Sequence, residues 1–195
     1  MNNMSLLLET IKIENGLICN IEWHNRRCNK SRRELFSIKQ EINIMEYLTP
    51  PPKGLFRCRV LYSDKIESIE YIPYSPKKIT SIKIVKSQIS YDYKYSNRNE
   101  LNALLLPNYD EILIEKDGFI TDTSIANIAF FSDLDNGWIT PKKPLLEGTT
   151  RAKLIEENFL SEKEIKKEEL QNFSHFALMN AMIGFQIQKN ITIDV

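Results

Sequence analysis

The chain has 195 residues, a length that allows one domain or two small ones sharing a core. Hydrophobic residues make up 42% of the chain and charged residues 27%, which argues against a disordered protein. The formal net charge is zero, which argues against a nucleic-acid-binding protein, and no apolar run approaches the length of a membrane span. The first residues, MNNM, lack the basic run of a signal peptide. The three cysteines have no metal-binding spacing and indicate free thiols in a cytoplasmic protein.

The first third of the chain carries signals for both strands and helices. Asn15-Gly16 stands between two apolar runs and predicts a hairpin, because both residues tolerate a positive φ. Asn20 is placed to cap a helix over residues 21–36, and a second helix is predicted over 38–48, ended by the prolines that follow. Strands are predicted over residues 5–13, 17–19, 56–62 and 66–72.

A proline-rich stretch at residues 73–76 (PYSP) is the predicted linker between two lobes, 1–75 and 76–195. Helices are predicted over 97–106 and 148–160. Strands of the second lobe are predicted over residues 79–85, 110–115, 119–131, 137–140, 176–179 and 184–195. Separate runs of strands and helices indicate an α+β fold.

Four short segments contain the residues that are best suited to chemistry. They are HNRR at 24–27, KYSNR at 94–98, TDTSIANI at 121–128, and TP at 140–141 followed by LLEGTTR at 145–151. Each segment alone is weak evidence, because most lysines are solvated and Gly-Thr-Thr is also an ordinary helix N-terminus. Their order along one chain is the stronger signal.

In this order the segments resemble the class IV aminotransferases, a family that includes branched-chain aminotransferase, D-amino acid aminotransferase and aminodeoxychorismate lyase. The resemblance implies a two-lobed fold-type IV (D-amino acid aminotransferase-like) fold, with pyridoxal 5'-phosphate (PLP) in the cleft between the lobes, and a homodimer. It begins at residues 8–11 (LETI), without the strand and glycine-rich turn that precede this segment in the family. We therefore expect a short member with a reduced first lobe.

The resemblance assigns Lys94 to the covalent bond with the cofactor, since a lysine amine reacts with an aldehyde and then serves as a base. In the family this lysine lies on a strand. Asp122 stands where the family usually has Glu, and an acid there keeps the pyridine nitrogen protonated. Because Asp is one methylene shorter, we expect the ring to lie closer to this strand or a water to bridge. The alternative is an acidic turn residue.

The phosphate is assigned to Thr149 and Thr150, which follow Gly148 at a predicted helix start. Free N–H groups and the positive end of the helix dipole suit an anion there. By resemblance to the family's His-x-x-Arg, Arg27 reaches the phosphate from the first lobe, where a guanidinium matches phosphate oxygens. His24 is interpreted as a structural residue.

Two asparagines and one arginine complete the set. The resemblance implies that Asn127 supports the strand of the acid and that Asn180 lies near the phosphate, although both are also compatible with turn amides. Arg98 is a candidate for binding a substrate carboxylate or a surface acid. Tyr93 and Tyr95 alternate with Lys94, so we expect both rings on the face opposite the lysine.

The Lys-x-x-Asn-Arg pattern at residues 94–98 resembles aminodeoxychorismate lyase more than branched-chain aminotransferase. We therefore expect a small-molecule enzyme that releases pyruvate and 4-aminobenzoate from 4-amino-4-deoxychorismate. An aminotransferase of branched-chain or D-amino acids would use the same residues, and a non-catalytic homologue would keep the fold. An unrelated α+β binding domain would need four motifs to align by chance.

Overall fold

The structure, a computed structural model, describes residues 6–189 and 191–194 and divides them into two compact units. The first unit comprises the described residues through Pro76 together with Tyr93–Asn97. The second comprises Lys77–Asp92 and the described residues from Arg98 onward. Strands dominate both units, and helices are few, as in the predicted α+β class.

The segment Tyr93–Asn97 belongs to the first unit, whereas the predicted second lobe began at residue 76. Backbone pairing is the reason for the difference. Leu8 N–H donates to the carbonyl of Lys94 at 2.8 Å, and Leu7 forms an antiparallel bridge with Tyr95. The second lobe is therefore interrupted by a piece of chain that completes the edge of the first sheet.

The sheet of the first unit is antiparallel, with the order β2-β1-β3-β4. Its strands are β1 (Leu7–Glu14), β2 (Leu17–Ile18), β3 (Leu55–Tyr62) and β4 (Ile66–Pro73). The predicted hairpin at Asn15-Gly16 is confirmed, with φ of 49° and 82° at its two residues. Helix α1 (Ile21–Phe36) packs against β1, and the buried core contains Leu7, Ile11, Ile13, Cys28, Ile44, Leu48, Cys58, Val60 and Tyr62.

The helix predicted over 38–48 is wrong, because only a single 3-10 turn forms, at Ile44–Tyr47. Side chains of α1 form hydrogen bonds with backbone N–H and carbonyl groups that would otherwise pair within a second helix. Asn25 Oδ1 accepts the N–H of the first residue of the turn at 2.8 Å, while Asn29 accepts the N–H of Ile42 at 3.0 Å and donates to its carbonyl at 2.9 Å. The segment is thus held extended along the helix.

The second unit contains one mixed sheet with the order β10-β9-β8-β7-β6-β5-β13, and β11 also pairs with β8 and with β12. Its strands are β5 (Ser81–Lys86), β6 (Glu111–Lys116), β7 (Phe119–Thr123), β8 (Asn127–Ser132), β9 (Gly137–Pro141), β10 (Leu160–Lys163), β11 (His175–Asn180), β12 (Gly184–Ile187) and β13 (Thr192–Asp194). Its helices are α2 (Asn99–Asn102), α3 (Thr149–Glu156) and a 3-10 turn, Lys167–Asn172. The core is formed by Ile82, Leu113, Ile120, Ala126, Ile128, Phe130, Ile139, Ile165 and Leu178.

Several predicted elements of this unit are shorter than expected. The helix predicted over 97–106 is one turn, and the helix predicted over 148–160 ends at Glu156. It ends there because Asn158 has a φ of 57°, a left-handed conformation that closes helices. The strand predicted over 119–131 is interrupted at residues 124–126. The last predicted strand divides into β12 and β13, and its residues 190 and 195 lie outside the described residues, as does residue 5 of the first predicted strand.

Within the described ranges, no helix has both the length and the hydropathy of a bilayer span. The same residues hold no group of three or more His, Cys, Asp or Glu side chains arranged to bind a metal ion.

Candidate active site

The first unit buries one carboxylate completely, that of Glu9 on β1. Arg27 on α1 holds it with two hydrogen bonds, from Nε to Oε1 at 2.8 Å and from Nη2 to Oε2 at 2.6 Å. His24 Nδ1 lies 2.6 Å from Oε2. Residues 24 and 27 are three apart on α1 and therefore point to the same side of the helix. We call Glu9, His24 and Arg27 the Glu9 cluster.

The pKa values within the Glu9 cluster follow from burial and charge. Burial alone would raise the pKa of Glu9, but the charge of Arg27 and the hydrogen bond with His24 lower it to about 2. Burial lowers the pKa of His24, so the ring is neutral at neutral pH. Because Glu9 is ionised, Nδ1 of His24 carries the proton and donates it. Nε2 is then a buried acceptor without a hydrogen-bond partner among the described residues.

Lys94 lies in the same unit, beside β1. Its carbonyl accepts from Leu8 N–H, and its positive charge contributes to the lowered pKa of His24. Lys94 does not lie on a regular strand. The N–H of Tyr95 donates to the carbonyl of Tyr93 at 2.8 Å, and this hydrogen bond makes a tight turn at Lys94. The two tyrosine rings contact each other edge to face at 6.1 Å and pack against the core of the first unit.

In the second unit, Asp122 at the end of β7 is buried and accepts hydrogen bonds at both oxygens. Oδ1 accepts from Nδ2 of Asn127 at 2.8 Å, and Oδ2 accepts from the N–H of Leu146 at 2.9 Å. The structure therefore brings together two of the predicted site residues, five positions apart, through the pairing of β7 with β8.

Burial raises the pKa of Asp122 to about 6. The hydrogen bonds from Asn127 and Leu146 and the charge of Arg151 act in the opposite direction and offset part of this rise. The carboxyl group is thus an acid that exchanges its proton close to neutral pH, a property often found in active sites.

Helix α3 begins at Thr149, directly after Gly148, and both Thr149 and Thr150 are buried. Oγ1 of Thr150 has no hydrogen-bond partner among the described residues. A buried hydroxyl without a partner is costly unless something else binds it. The first N–H groups of a helix also have no partner within the helix, so this end of α3 presents a set of donors suited to a phosphate.

Arg98 and Asn180 both contact the loop 124–126, which precedes Asn127. Arg98 Nη2 donates to the carbonyl of Ser124 at 2.5 Å, and Asn180 Nδ2 donates to that of Ile125 at 3.1 Å. The Oδ1 of Asn180 also accepts the N–H of Met182 at 2.9 Å. Asn180 is therefore a turn amide in this structure, and Arg98 binds a backbone carbonyl.

Two residues of these clusters were missed by the sequence analysis as site residues. Glu9 lies two residues from Leu7 and two from Ile11 on β1, so the three side chains point to the same buried face of the strand. This alternation in the sequence was the signal that the carboxylate of Glu9 would be buried. Arg151 donates to the carbonyl of Pro141 at 2.8 Å and to Oε1 of Glu162 at 2.6 Å, so it ties α3 to the neighbouring strands. Position alone gives no indication of those partners.

Similarity to known proteins shows the family to which this chain belongs. A sequence profile described as "Amino-transferase class IV" matches residues 66–191, well over half of the chain. This chain belongs to the class IV aminotransferase family. An uncharacterized protein of Haemophilus influenzae is 37% identical over 186 residues, which span 91% of this class IV chain and 98% of that protein.

Solved structures agree with this assignment. The crystal structure of a "putative 4-amino-4-deoxychorismate lyase" from Haemophilus somnus 129pt is 38% identical, covers 92% of this chain and 97% of that one, and has a TM-score of 0.83. A hypothetical aminotransferase from Mycobacterium tuberculosis, in its PLP-bound form, has a TM-score of 0.77 at 16% identity and covers 98% of this chain and 82% of that one. The second match concerns the fold alone. The predicted fold class and family are both confirmed.

We expect Arg27→Ala to destabilise the protein even without a cofactor, because it leaves the buried carboxylate of Glu9 without its cation. Loss of one partner of a buried ion pair typically costs about 3 kcal/mol or more. The pair between Arg27 and Glu9 lies within the first unit, so this loss does not depend on a bound cofactor. Urea unfolding of the apo protein measures the difference.

Arg26→Ala is the matched control on the same helix, since Arg26 forms an exposed pair with Glu22 and should contribute less than about 0.5 kcal/mol. Adding Glu9→Gln to Arg27→Ala removes the uncompensated charge and should restore part of the lost stability. Equal losses for Arg26→Ala and Arg27→Ala would contradict the role given to the Glu9 cluster.

Asp122 should make the apo protein less stable as the pH rises from about 4 to about 6. Its folded pKa of about 6 lies above the ordinary aspartate pKa of 3.8, so the folded state retains a proton that the unfolded state has lost. The difference corresponds to about 3 kcal/mol, fully present below pH 4 and lost above pH 6. We therefore expect the free energy of unfolding to fall more between pH 4 and pH 6 in the wild type than in Asp122→Asn.

Glu9 and His24 also titrate, but both are present in the two proteins, so their contributions cancel in the difference. A difference that stays constant between pH 4 and pH 7 would mean that Asp122 keeps its ordinary pKa.

Proposed function

We propose that this chain is a PLP-dependent lyase that converts 4-amino-4-deoxychorismate to 4-aminobenzoate and pyruvate. The observation that supports the cofactor assignment is the buried hydroxyl of Thr150 at the start of α3, which has no hydrogen-bond partner among the residues that the structure describes. It belongs to the same unit as a buried acid, Asp122, and to the same chain as the motif lysine, Lys94.

The residues present fit the chemical groups of PLP. Thr149, Thr150 and the N–H groups at the start of α3 match a phosphate, whereas the Arg27 guanidinium is paired with Glu9 in the first unit. Asp122 matches a protonated pyridine nitrogen, because its carboxyl group is buried and ionises near neutral pH. Lys94 supplies the amine that bonds to the aldehyde carbon.

In the proposed reaction, Lys94 has two tasks. Its amine would hold the cofactor in the resting enzyme. Once the substrate amine has displaced it, the free amine would take the proton from the substrate carbon that bears the amino group. Bound PLP supplies an electron sink for the negative charge formed at that carbon. Asp122 stabilises the positive charge on the pyridine nitrogen that this requires. The bond between the ring carbon and the enolpyruvyl oxygen would then break, the ring would become aromatic 4-aminobenzoate, and the released enolpyruvate would take up a proton to become pyruvate.

The choice of lyase over transaminase is supported by the relative of 38% identity, whose name describes a 4-amino-4-deoxychorismate lyase, and by the KYSNR pattern at residues 94–98. A fission yeast protein named "putative aminodeoxychorismate lyase" is 36% identical over 91 residues, or 44% of this chain. Both activities would use Lys94 and Asp122, so the products decide between them.

The cofactor assignment is tested by borohydride reduction of the PLP-loaded protein, followed by peptide mapping. We expect the pyridoxyl label on Lys94, because reduction fixes the cofactor to the amine that holds it. Lys94→Ala should lose the label and the visible absorbance, whereas the control Lys53→Ala, an exposed lysine of the same unit, should retain both. A label on another lysine would overturn the assignment of Lys94.

The reaction is tested by incubating the PLP-loaded protein with 4-amino-4-deoxychorismate. We expect 4-aminobenzoate and pyruvate in equal amounts, with Lys94→Ala reducing the rate on the order of 10²-fold to 10⁴-fold, the usual contribution of a catalytic base. Amino-group transfer to a keto acid without release of pyruvate would identify a transaminase instead. Absence of both activities in a protein that binds PLP would indicate a non-catalytic homologue.

A further inference from the structure

Gly148, the residue that precedes α3, has a backbone that any residue could adopt. Its φ of −69° and ψ of 145° lie in the ordinary extended region, so conformational freedom does not explain a glycine there. A side chain is excluded for a different reason. A Cβ atom at this position would lie 1.9 Å from Oδ1 of Asn127 and 3.1 Å from its Cγ. The first distance is far shorter than any van der Waals contact.

The amide of Asn127 has little freedom to move away. Its Nδ2 donates both to Oδ1 of Asp122 and to the carbonyl of Leu146, each at 2.8 Å. Asn127 is only 6% exposed, and it stands at the start of β8, between partners on β7 and β11. Retreat of this side chain would break two hydrogen bonds and leave a buried carboxylate oxygen with one donor fewer.

The segment that leads into α3 is held by the same contacts. Leu146 N–H donates to the second oxygen of Asp122, and Leu146 is two residues before Gly148. Asn127, Asp122 and Leu146 therefore form a closed set of three hydrogen bonds that joins β7, β8 and the approach to α3. Arg151, on the first turn of α3, lowers the pKa of Asp122 through its positive charge.

We propose that Gly148 and Asn127 together position the acid at the end of β7 relative to the N-terminus of α3. The lack of a side chain at residue 148 allows the Asn127 amide to lie against the start of the helix and to hold Asp122 from there. The inference rests on the proposed function in one respect, namely that Asp122 contacts the pyridine nitrogen of PLP and the start of α3 binds its phosphate. Under that assignment, the spacing between the two ends of the cofactor is fixed by one amide and one glycine.

The steric part is tested in the apo protein by a double-mutant cycle of Gly148→Ala and Asn127→Ala, with urea unfolding as the measurement. We expect Gly148→Ala to lower the equilibrium constant for folding by about tenfold or more, because it displaces a hydrogen-bonded amide. In the Asn127→Ala background the same change should have little cost, because the described residues then place no side-chain atom closer to the new methyl group than an ordinary contact. Asn127→Ser provides a second background, with a shorter side chain, if Asn127→Ala does not fold.

Gly137→Ala is the matched control, since its Cβ would meet a single atom at 3.7 Å, an ordinary contact, and its φ lies outside the left-handed region. It should leave the folding constant within about twofold of the wild type. Equal costs of Gly148→Ala with and without Asn127 would overturn the proposal.

The positioning part is tested by the titration of Asp122, followed by ¹³C chemical shifts of its carboxyl group in the apo protein. Loss of the donor Asn127 should raise the pKa of Asp122 by about one unit in both Gly148→Ala and Asn127→Ala, because the hydrogen bond favours the ionised form. A purely packing role for Gly148 would leave this titration unchanged, and that result would overturn the proposal.

PLP binding, measured by equilibrium dialysis, distinguishes a failure of the proposed PLP-dependent function from a failure of the positioning role of Gly148 and Asn127. If the wild type binds PLP, Gly148→Ala should weaken binding about tenfold or more, while Gly137→Ala should not. A wild type that fails to bind PLP would overturn the proposed function, while the unfolding cycle and the titration would still decide whether Gly148 and Asn127 position Asp122.

Discussion

A carboxylate that is removed from water must be neutralised by a cation, by hydrogen-bond donors or by a proton, and each unit meets this requirement in its own way. In the first unit, Arg27 neutralises Glu9, so the pKa is low and the charges persist throughout the neutral range. In the second, the hydrogen bonds to Asp122 come from neutral groups, and the pKa lies near 6. The first unit thus contains a permanent ion pair, whereas the second contains an acid that can exchange its proton under ordinary conditions.

The composition of α1 follows from the buried charge beneath it. Its buried residues are mostly polar (His24, Cys28, Asn29, Ser31 and Arg32) although the helix packs on a sheet. One side of the helix serves Glu9, and another side binds the extended segment that follows it in the chain. Hydrogen bonding therefore replaces much of the apolar contact that an amphipathic helix would make. Such a network tolerates substitution poorly, because each lost partner leaves another buried polar group unpaired.

The sequence predicted those features whose determinants are local. Asn15-Gly16 was sufficient for the hairpin, and the alternating residues of β3 and β4 were sufficient for the two strands themselves, because turn conformation and alternation act over a few residues. The helix expected over 38–48 failed for the opposite reason, since the competing hydrogen bonds come from Asn25 and Asn29, more than a dozen residues earlier.

The candidate site shows the same division. The resemblance implied that Asn127 supports the strand of Asp122, and in the structure the two side chains form a hydrogen bond. The resemblance could not indicate that Glu9 would bind Arg27, because their separation along the chain is unrelated to any motif. The sequence predicts a phosphate-binding helix start after Gly148, and only the position of the Asn127 amide shows why a side chain is excluded at Gly148.

The placement of Tyr93–Asn97 in the first unit also bears on how the protein is made. The edge of β1 pairs with this segment through Leu8 N–H and through the carbonyl of Leu6, which accepts from Ser96. While the chain is being synthesised, the first 76 residues leave the ribosome before Tyr93–Asn97, their last pairing partner, has emerged. Until residue 97 has emerged, this edge of β1 has no partner from that segment and can pair with other extended chains. Completion of the first unit is therefore delayed until part of the second has been translated.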